Sequence, residues 1–274
     1  MSTIFHKGLL KLLGRSSAPG AENESQCPRA AGGGNVVEVG WWLDTHEARF
    51  IYDAPYVYRP SYPPSQHPHA VNNCPGILDY EARYVVVNCP FDLHLRLVRN
   101  AQGKLDISVH DVETSVDIRR LQADILRLQP PASWRTPERP VLQLLTPYRF
   151  VADEPVYLNE LPPVFHFPRN PLPGLIIGGR FPIDIWPRRL MWAFEWHDLS
   201  RDLVLRRGEP WFCLRFETMD PSRHVRIVEA EMTPELREFC KGLDQVNNYV
   251  GQTFSLFKVA RERRPEKLLV KKNR

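Results

Sequence analysis

No stretch of the sequence approaches the roughly 18 consecutive apolar residues of a membrane-spanning helix. The N-terminus lacks both the uninterrupted apolar core and the small-residue cleavage site of a secretory signal, so the expectation is a soluble, cytoplasmic protein. Cysteine is scarce: Cys27, Cys74, Cys89, Cys213 and Cys240 are odd in number, scattered, and never spaced C-x-x-C. That pattern points to free thiols in a reducing compartment rather than to a disulfide framework. Also missing are the phosphate-cradling G-x-x-x-x-G-K-[ST], a G-x-G-x-x-G opening a helix, H-E-x-x-H and G-x-S-x-G. Their absence removes P-loop, dinucleotide-binding, zincin and nucleophile-elbow chemistry from consideration. No H-x-D or H-x-E opens an iron facial triad, and the adjacent pairs His46-Glu47 and His197-Asp198 would point to opposite faces of a strand.

What is present in excess is proline, 26 residues, within an otherwise globular composition of 43% hydrophobic and 25% charged residues. Proline is excluded from helix interiors and central strands and favours turns and edges. A proline-rich chain with Trp, Tyr and Phe between the prolines therefore reads as short strands joined by stiff loops. The net charge of +4 is unevenly placed: residues 258–274 hold eight Lys or Arg against two Glu, and residues 1–15 hold Lys7, Lys11 and Arg15 with no acid. The segment between is net negative, which argues against nucleic acid as a partner of the core.

Residues 1–14 carry an amphipathic helix over 3–13, with Phe5, Leu9, Leu12 and Leu13 on one face and Lys7 and Lys11 opposite. It would pack on its own domain or give peripheral membrane contact. Residues 15–35 are small, polar and glycine-rich, a flexible linker. A β-sandwich domain is expected over 36–232. Residues 92–98 alternate, with Leu93, Leu95 and Leu97 on one face and Asp92, His94 and Arg96 on the other, and Asn100–Gly103 reads as the turn into a partner strand. Strands are also read at 49–52 and 164–167, among others, and one short internal helix at 115–128. A C-terminal helix is expected over 233–264, with Thr233 as N-cap and Pro234 at its first position. A basic tail, 265–274, follows. The fold expected is mostly β: a jelly-roll-like two-sheet sandwich.

Three stretches, NNCPGILDYEARYVVVNCPFDLHLRL (72–97), WPRRLMWAFEW (186–196) with RRGEPWFCLRF (206–216), and the closing helix from Thr233, together resemble an uncharacterised domain family of bacteria and tailed phages. The resemblance spans roughly residues 45–260. It implies no activity and no catalytic residues; the family's phage members imply a virion or assembly role.

Three groups of residues carry candidate chemistry. His67 and His69 sit two apart on an extended chain stiffened by Pro68, and a thiolate from Cys74 would complete a zinc or iron site. The plainer reading is a proline-rich surface loop. In Trp192–Trp196, Trp192, Phe194 and Trp196 face one way and Glu195, with His197, the other. A desolvated Glu195 would serve as an acid or base; a solvated one would be surface. Arg188 and Arg189, with Trp192 nearby, would bind a carboxylate or phosphate ligand, or solvate a loop. The function expected from these features is non-catalytic binding or assembly, with a protein partner, a small-molecule ligand or a second copy of the chain. The rival is an iron- or zinc-dependent enzyme using His67, His69 and a further histidine or carboxylate, which requires His94, His110, His166 or His224 to meet His67 and His69 in one concave site.

Overall fold

A computed structural model describes residues 35–60, 67, 69–241, 243 and 250–272. The expected helix at 3–13 and the linker up to residue 34 lie outside these residues. In chain order the elements are β1 (Val36–Leu43), β2 (Tyr56–Val57), α1 (Pro75–Glu81), β3 (Tyr84–Asn88), β4 (Leu93–Arg99), β5 (Leu105–Val109), α2 (Ile118–Arg120), β6 (Leu126–Leu128), β7 (Val141–Val151) and β8 (Val156–Leu161). Then come β9 (Gly174–Ile177), β10 (Gly179–Pro182), β11 (Arg189–Trp196), β12 (Leu203–Leu205), β13 (Pro210–Thr218), β14 (His224–Glu229), α3 (Pro234–Cys240) and α4 (Val250–Arg263).

The molecule is a mostly-β sandwich. One sheet runs β14-β1-β7-β11-β9 with β6 also on β7, and the second runs β10-β8-β13-β3-β2. A third, small sheet, β12-β4-β5, extends the expected two-sheet plan. Only one pairing, β1 with β14, is parallel among the described strands. Strand alternation supplies the core. Leu142, Leu144, Tyr148 and Phe150 of β7 and Trp192, Phe194 and Trp196 of β11 meet Val85 and Val87 of β3 and Phe212 and Leu214 of β13. Leu93 and Leu95 of β4 join the same core and are wholly buried, as the alternation over 92–98 requires.

The β4–β5 hairpin shows how local chemistry fixes register. Asn100 Oδ1 accepts from the backbone N–H groups of Gln102 and Lys104, both at 3.0 Å, and Gly103 takes φ +74, which favours glycine. Arg99 then pairs with Leu105, and the ladder runs back to Leu95 against Val109.

Four expectations about elements are corrected. Residues 49–52 are not a strand: Glu47–Phe50 is a 3-10 turn that buries only Ala48. Residues 164–167 are a loop, because the flanking Pro162, Pro163 and Pro168 withhold ladder donors; Phe165 instead stacks on Tyr58, centroids 4.2 Å apart. The helix read at 115–128 is only α2 and one wide turn over Leu121–Ile125 before the chain becomes β6. The single helix expected over 233–264 is interrupted. Thr233 does cap α3, its Oγ1 accepting from the Leu236 N–H at 3.1 Å, but Lys241 is extended and ends it.

The C-terminal segment is not a free basic tail as far as Lys272. Leu268 and Leu269 are buried, and their N–H groups donate to Asp153 Oδ1 at 2.6 and 2.9 Å. A Cβ at Gly40 would stand 2.4 Å from Leu269 Cδ1, so glycine is needed for this close approach. Lys271 and Lys272 pair with Glu38 and Glu229 at 2.7 and 2.9 Å, which consumes part of the tail's charge within the fold. The closing helices pack with Trp42, Val151 and Trp186 in a second apolar cluster, the Trp186 indole N–H donating to Leu243 O at 2.8 Å.

Candidate metal centre

The three-stranded sheet turns one face to the core and the other outward, and the outward face gathers polar side chains. On β4, His94 and Arg96 alternate with buried Leu93 and Leu95. Leu95 pairs with Val109, so His110 falls beside His94; its N–H donates to His94 O at 3.0 Å, and the two rings stack with centroids 4.2 Å apart. On the other side Leu203 pairs with Leu95, so Asp202, one residue earlier, lies across from Arg96.

These registers bring His94, His110 and Asp202 together with one ligating atom from each lying within 4.8 Å of the other two. His94 Nε2 is 2.7 Å from Asp202 Oδ2. The chain then folds back after His110 in a 3-10 turn, Asp111–Glu113, which places Glu113 Oε2 2.7 Å from His94 Nδ1. Two hydroxyls pin this turn: Thr114 Oγ1 accepts from the His94 N–H at 3.2 Å, and Ser115 Oγ from the Asp92 N–H at 2.9 Å.

Charge compensation is dense. Arg96 forks onto Asp202, Nε to Oδ1 at 2.8 Å and Nη2 to Oδ2 at 2.7 Å. Arg206 lies 3.6 Å from Glu113 and 4.0 Å from Asp92. Arg96, and then His94, hold the Asp202 carboxyl well below the usual carboxylate range. The bond to His94 also lowers the Glu113 carboxyl. Both carboxylates are therefore ionised across the neutral range, which is the form a metal needs. Imidazole and carboxylate together suit zinc or iron. Bonds of about 2.0–2.2 Å in a tetrahedral zinc site set ligand atoms roughly 3.3–3.6 Å apart, which lies inside the 4.8 Å that bounds the three atoms here and beyond the 2.7 Å of the His94–Asp202 contact. Glu113 already occupies the outer position from which a carboxylate fixes the tautomer of a ligating histidine.

No family model, curated protein or solved structure matches this chain.

The residues singled out from sequence fall elsewhere. His67 and His69 are exposed, their rings 5.9 Å apart, and His67 Nδ1 accepts the His69 N–H at 3.2 Å. Cys74 is exposed just ahead of α1. Among the described residues, neither histidine nor Cys74 joins a group of three metal-capable side chains. Glu195 is 4% exposed, and its Oε1 lies 2.8 Å from His197 Nε2 and 3.8 Å from Arg139 Nη1. That dyad is a real juxtaposition, made by i, i+2 alternation. Trp192 is wholly buried, centroid 5.9 Å from Trp211, and offers no face to a ligand. Arg188 lies over the Trp186 ring at 4.6 Å, and Arg189 binds Asp44 Oδ2 at 2.7 Å; both are spent on the fold.

Sequence reasoning reached His94 and His110 only as members of a scattered set. Counting outward from the Asn100–Gly103 turn would have paired them. It missed Asp202, which is 108 residues from His94, and Glu113, whose approach depends on a turn without a strong local signal.

Proposed function

We propose that this protein binds a divalent transition metal, zinc or iron, through His94, His110 and Asp202. The observation that carries this reading is the convergence of three ligating groups, from β4, the end of β5 and the start of β12, with Glu113 behind His94. Three protein ligands leave coordination positions open to water or substrate, the arrangement of a reactive site rather than of a closed structural one. Arg96 keeps its bond to Asp202 Oδ1 while Oδ2 turns to the metal, which orients the carboxylate.

The test is elemental mass spectrometry of protein purified without a histidine tag, after reconstitution with zinc or iron(II). Near-stoichiometric metal is expected in the wild type and in His67→Ala/His69→Ala. His94→Ala/His110→Ala is expected to lose affinity by at least about 100-fold, and Glu113→Gln by about 10- to 100-fold. Absence of metal after reconstitution, or loss in the His67/His69 variant instead, overturns the assignment.

A second reading, non-catalytic binding or assembly, is favoured by large apolar side chains left bare in loops: Phe50, Val112, Phe167 and Met219 are 79%, 99%, 92% and 77% exposed. The assembly role implied by the resemblance to a family with phage members belongs here. Light scattering across a concentration series separates the two readings. Concentration-dependent association without bound metal would favour assembly; a metal-loaded monomer favours the metal centre.

A further inference from the structure

The loop 163–172 meets the edge of the small sheet and the turn at 206–210 around a partly open cavity of about 110 Å³. Its walls are apolar where Pro163, Pro168, Leu172 and Leu205 meet. Its lining includes polar side chains. Trp211 lines the cavity and is 2% exposed, and its indole N–H, which can only donate, has no acceptor. His166 Nε2 is also buried without a hydrogen bond, since the Glu209 carboxylate lies 3.8 Å away. Arg206 reaches into the same lining with a side chain 46% exposed, and it pairs with Glu113 and Asp92 at 3.6 and 4.0 Å. Asn170 adds an amide. The Cys89 thiol is spent, donating to Phe91 O at 3.1 Å, and burial pushes its pKa up to about 12, so it adds no negative charge.

Buried donors without acceptors are rare in folded proteins, because each forfeits its hydration without replacement. Here one indole N–H and one imidazole nitrogen are buried without partners on residues that line a single small cavity, beside the half-exposed Arg206 guanidinium. A ligand that satisfies them needs two acceptor oxygens and a negative charge at one end and an apolar remainder for the proline and leucine wall. We infer that this cavity is a binding site for a small aliphatic carboxylate, its carboxylate against Arg206 and the Trp211 indole N–H. A cavity of roughly 150 Å³ holds benzene, so this one takes a ligand of about four to six non-hydrogen atoms. Glu209, 3.8 Å from His166 Nε2, is the lining's one carboxylate. The site is distinct from the metal centre, sharing with it only Arg206.

Titration of the full chain with propionate, in the presence of a chelator and followed by ¹H–¹⁵N NMR, tests the inference independently of any metal. Propionate is expected to shift the assigned Trp211 indole resonance saturably, while propionamide and propylamine at equal concentration do not. Arg206→Gln is expected to weaken binding by about tenfold or more. Leu172→Phe, which fills the cavity and leaves the donors in place, is expected to abolish it. The inference is overturned if propionate gives no saturable shift, if all three probes act alike, or if both variants bind propionate as the wild type does.

Discussion

Glu160→Gln is expected to stabilise the protein at pH 9 and to leave its stability nearly unchanged at pH 4. Glu160 sits on β8 between Gly179 of β10 and Leu214 of β13. Alternation turns it inward beside Val156 and Leu158, and it is 2% exposed with Oε1 lacking a hydrogen-bond partner. Burial pushes its carboxyl up from 4.5 to about 8, with the Arg188 charge pulling weakly the other way. Between these values the unfolded chain releases the proton and the folded chain keeps it. Stability therefore falls as pH rises through that window, by up to about 1.4 kcal/mol per pH unit, and levels off above about 8. Glutamine copies the neutral acid and has no proton to lose, so the variant's advantage at pH 9 is of the order of several kcal/mol. Denaturant unfolding at pH 4, 6 and 9 checks this; parallel profiles for the two proteins would show that Glu160 ionises freely in the fold.

Asp44→Ala is expected to cost about 3–5 kcal/mol of stability, the range for stripping the partner from a buried charge. Asp44 follows β1 and joins two guanidiniums: its Oδ1 accepts from Arg149 Nε, and its Oδ2 from Arg189 Nε at 2.7 Å. Arg149 is 7% exposed and keeps a second bond to Pro187 O at 3.0 Å. Removing the carboxylate takes the Asp44 counter-charge from a cation that is itself desolvated. Arg189 has a side chain 36% exposed, so Arg189→Gln should cost less than about 1 kcal/mol. The double variant Asp44→Leu/Arg149→Met should recover much of the Asp44→Ala loss, because replacing both charges leaves neither unpaired. Urea unfolding of the three variants decides the point; equal losses from Asp44→Ala and Arg189→Gln would contradict it.

Much of the strand content is legible because its signal is local. The period-2 pattern of 92–98 identified the buried leucines and put His94 and Arg96 on the opposite face, and the same logic set Glu195 and His197 side by side. The alternation also assigned Trp192, Phe194 and Trp196 to one face, although it left open whether that face was core or ligand surface. Burial of all three against β13 and β7 settled that question. Where local signals misled, proline or short apolar runs were responsible. The run Val164-Phe-His-Phe167 has the alternation of a strand, but prolines on both sides deny it a ladder, and Phe167 ends 92% exposed.

By itself the sequence determined which residues share a face, where the β4–β5 hairpin turns, and that Thr233 starts a helix. All three rest on interactions within a few residues, where backbone geometry leaves few choices. Only the tertiary structure decided that Asp202 meets His94, that Asp44 meets Arg149, and that Leu269 of a seemingly free tail closes onto Gly40. Those contacts join residues 105 or more apart in the two polar cases. They depend on strand order and on which sheet face is covered, and both follow from burying the whole apolar surface at once rather than from any local pattern.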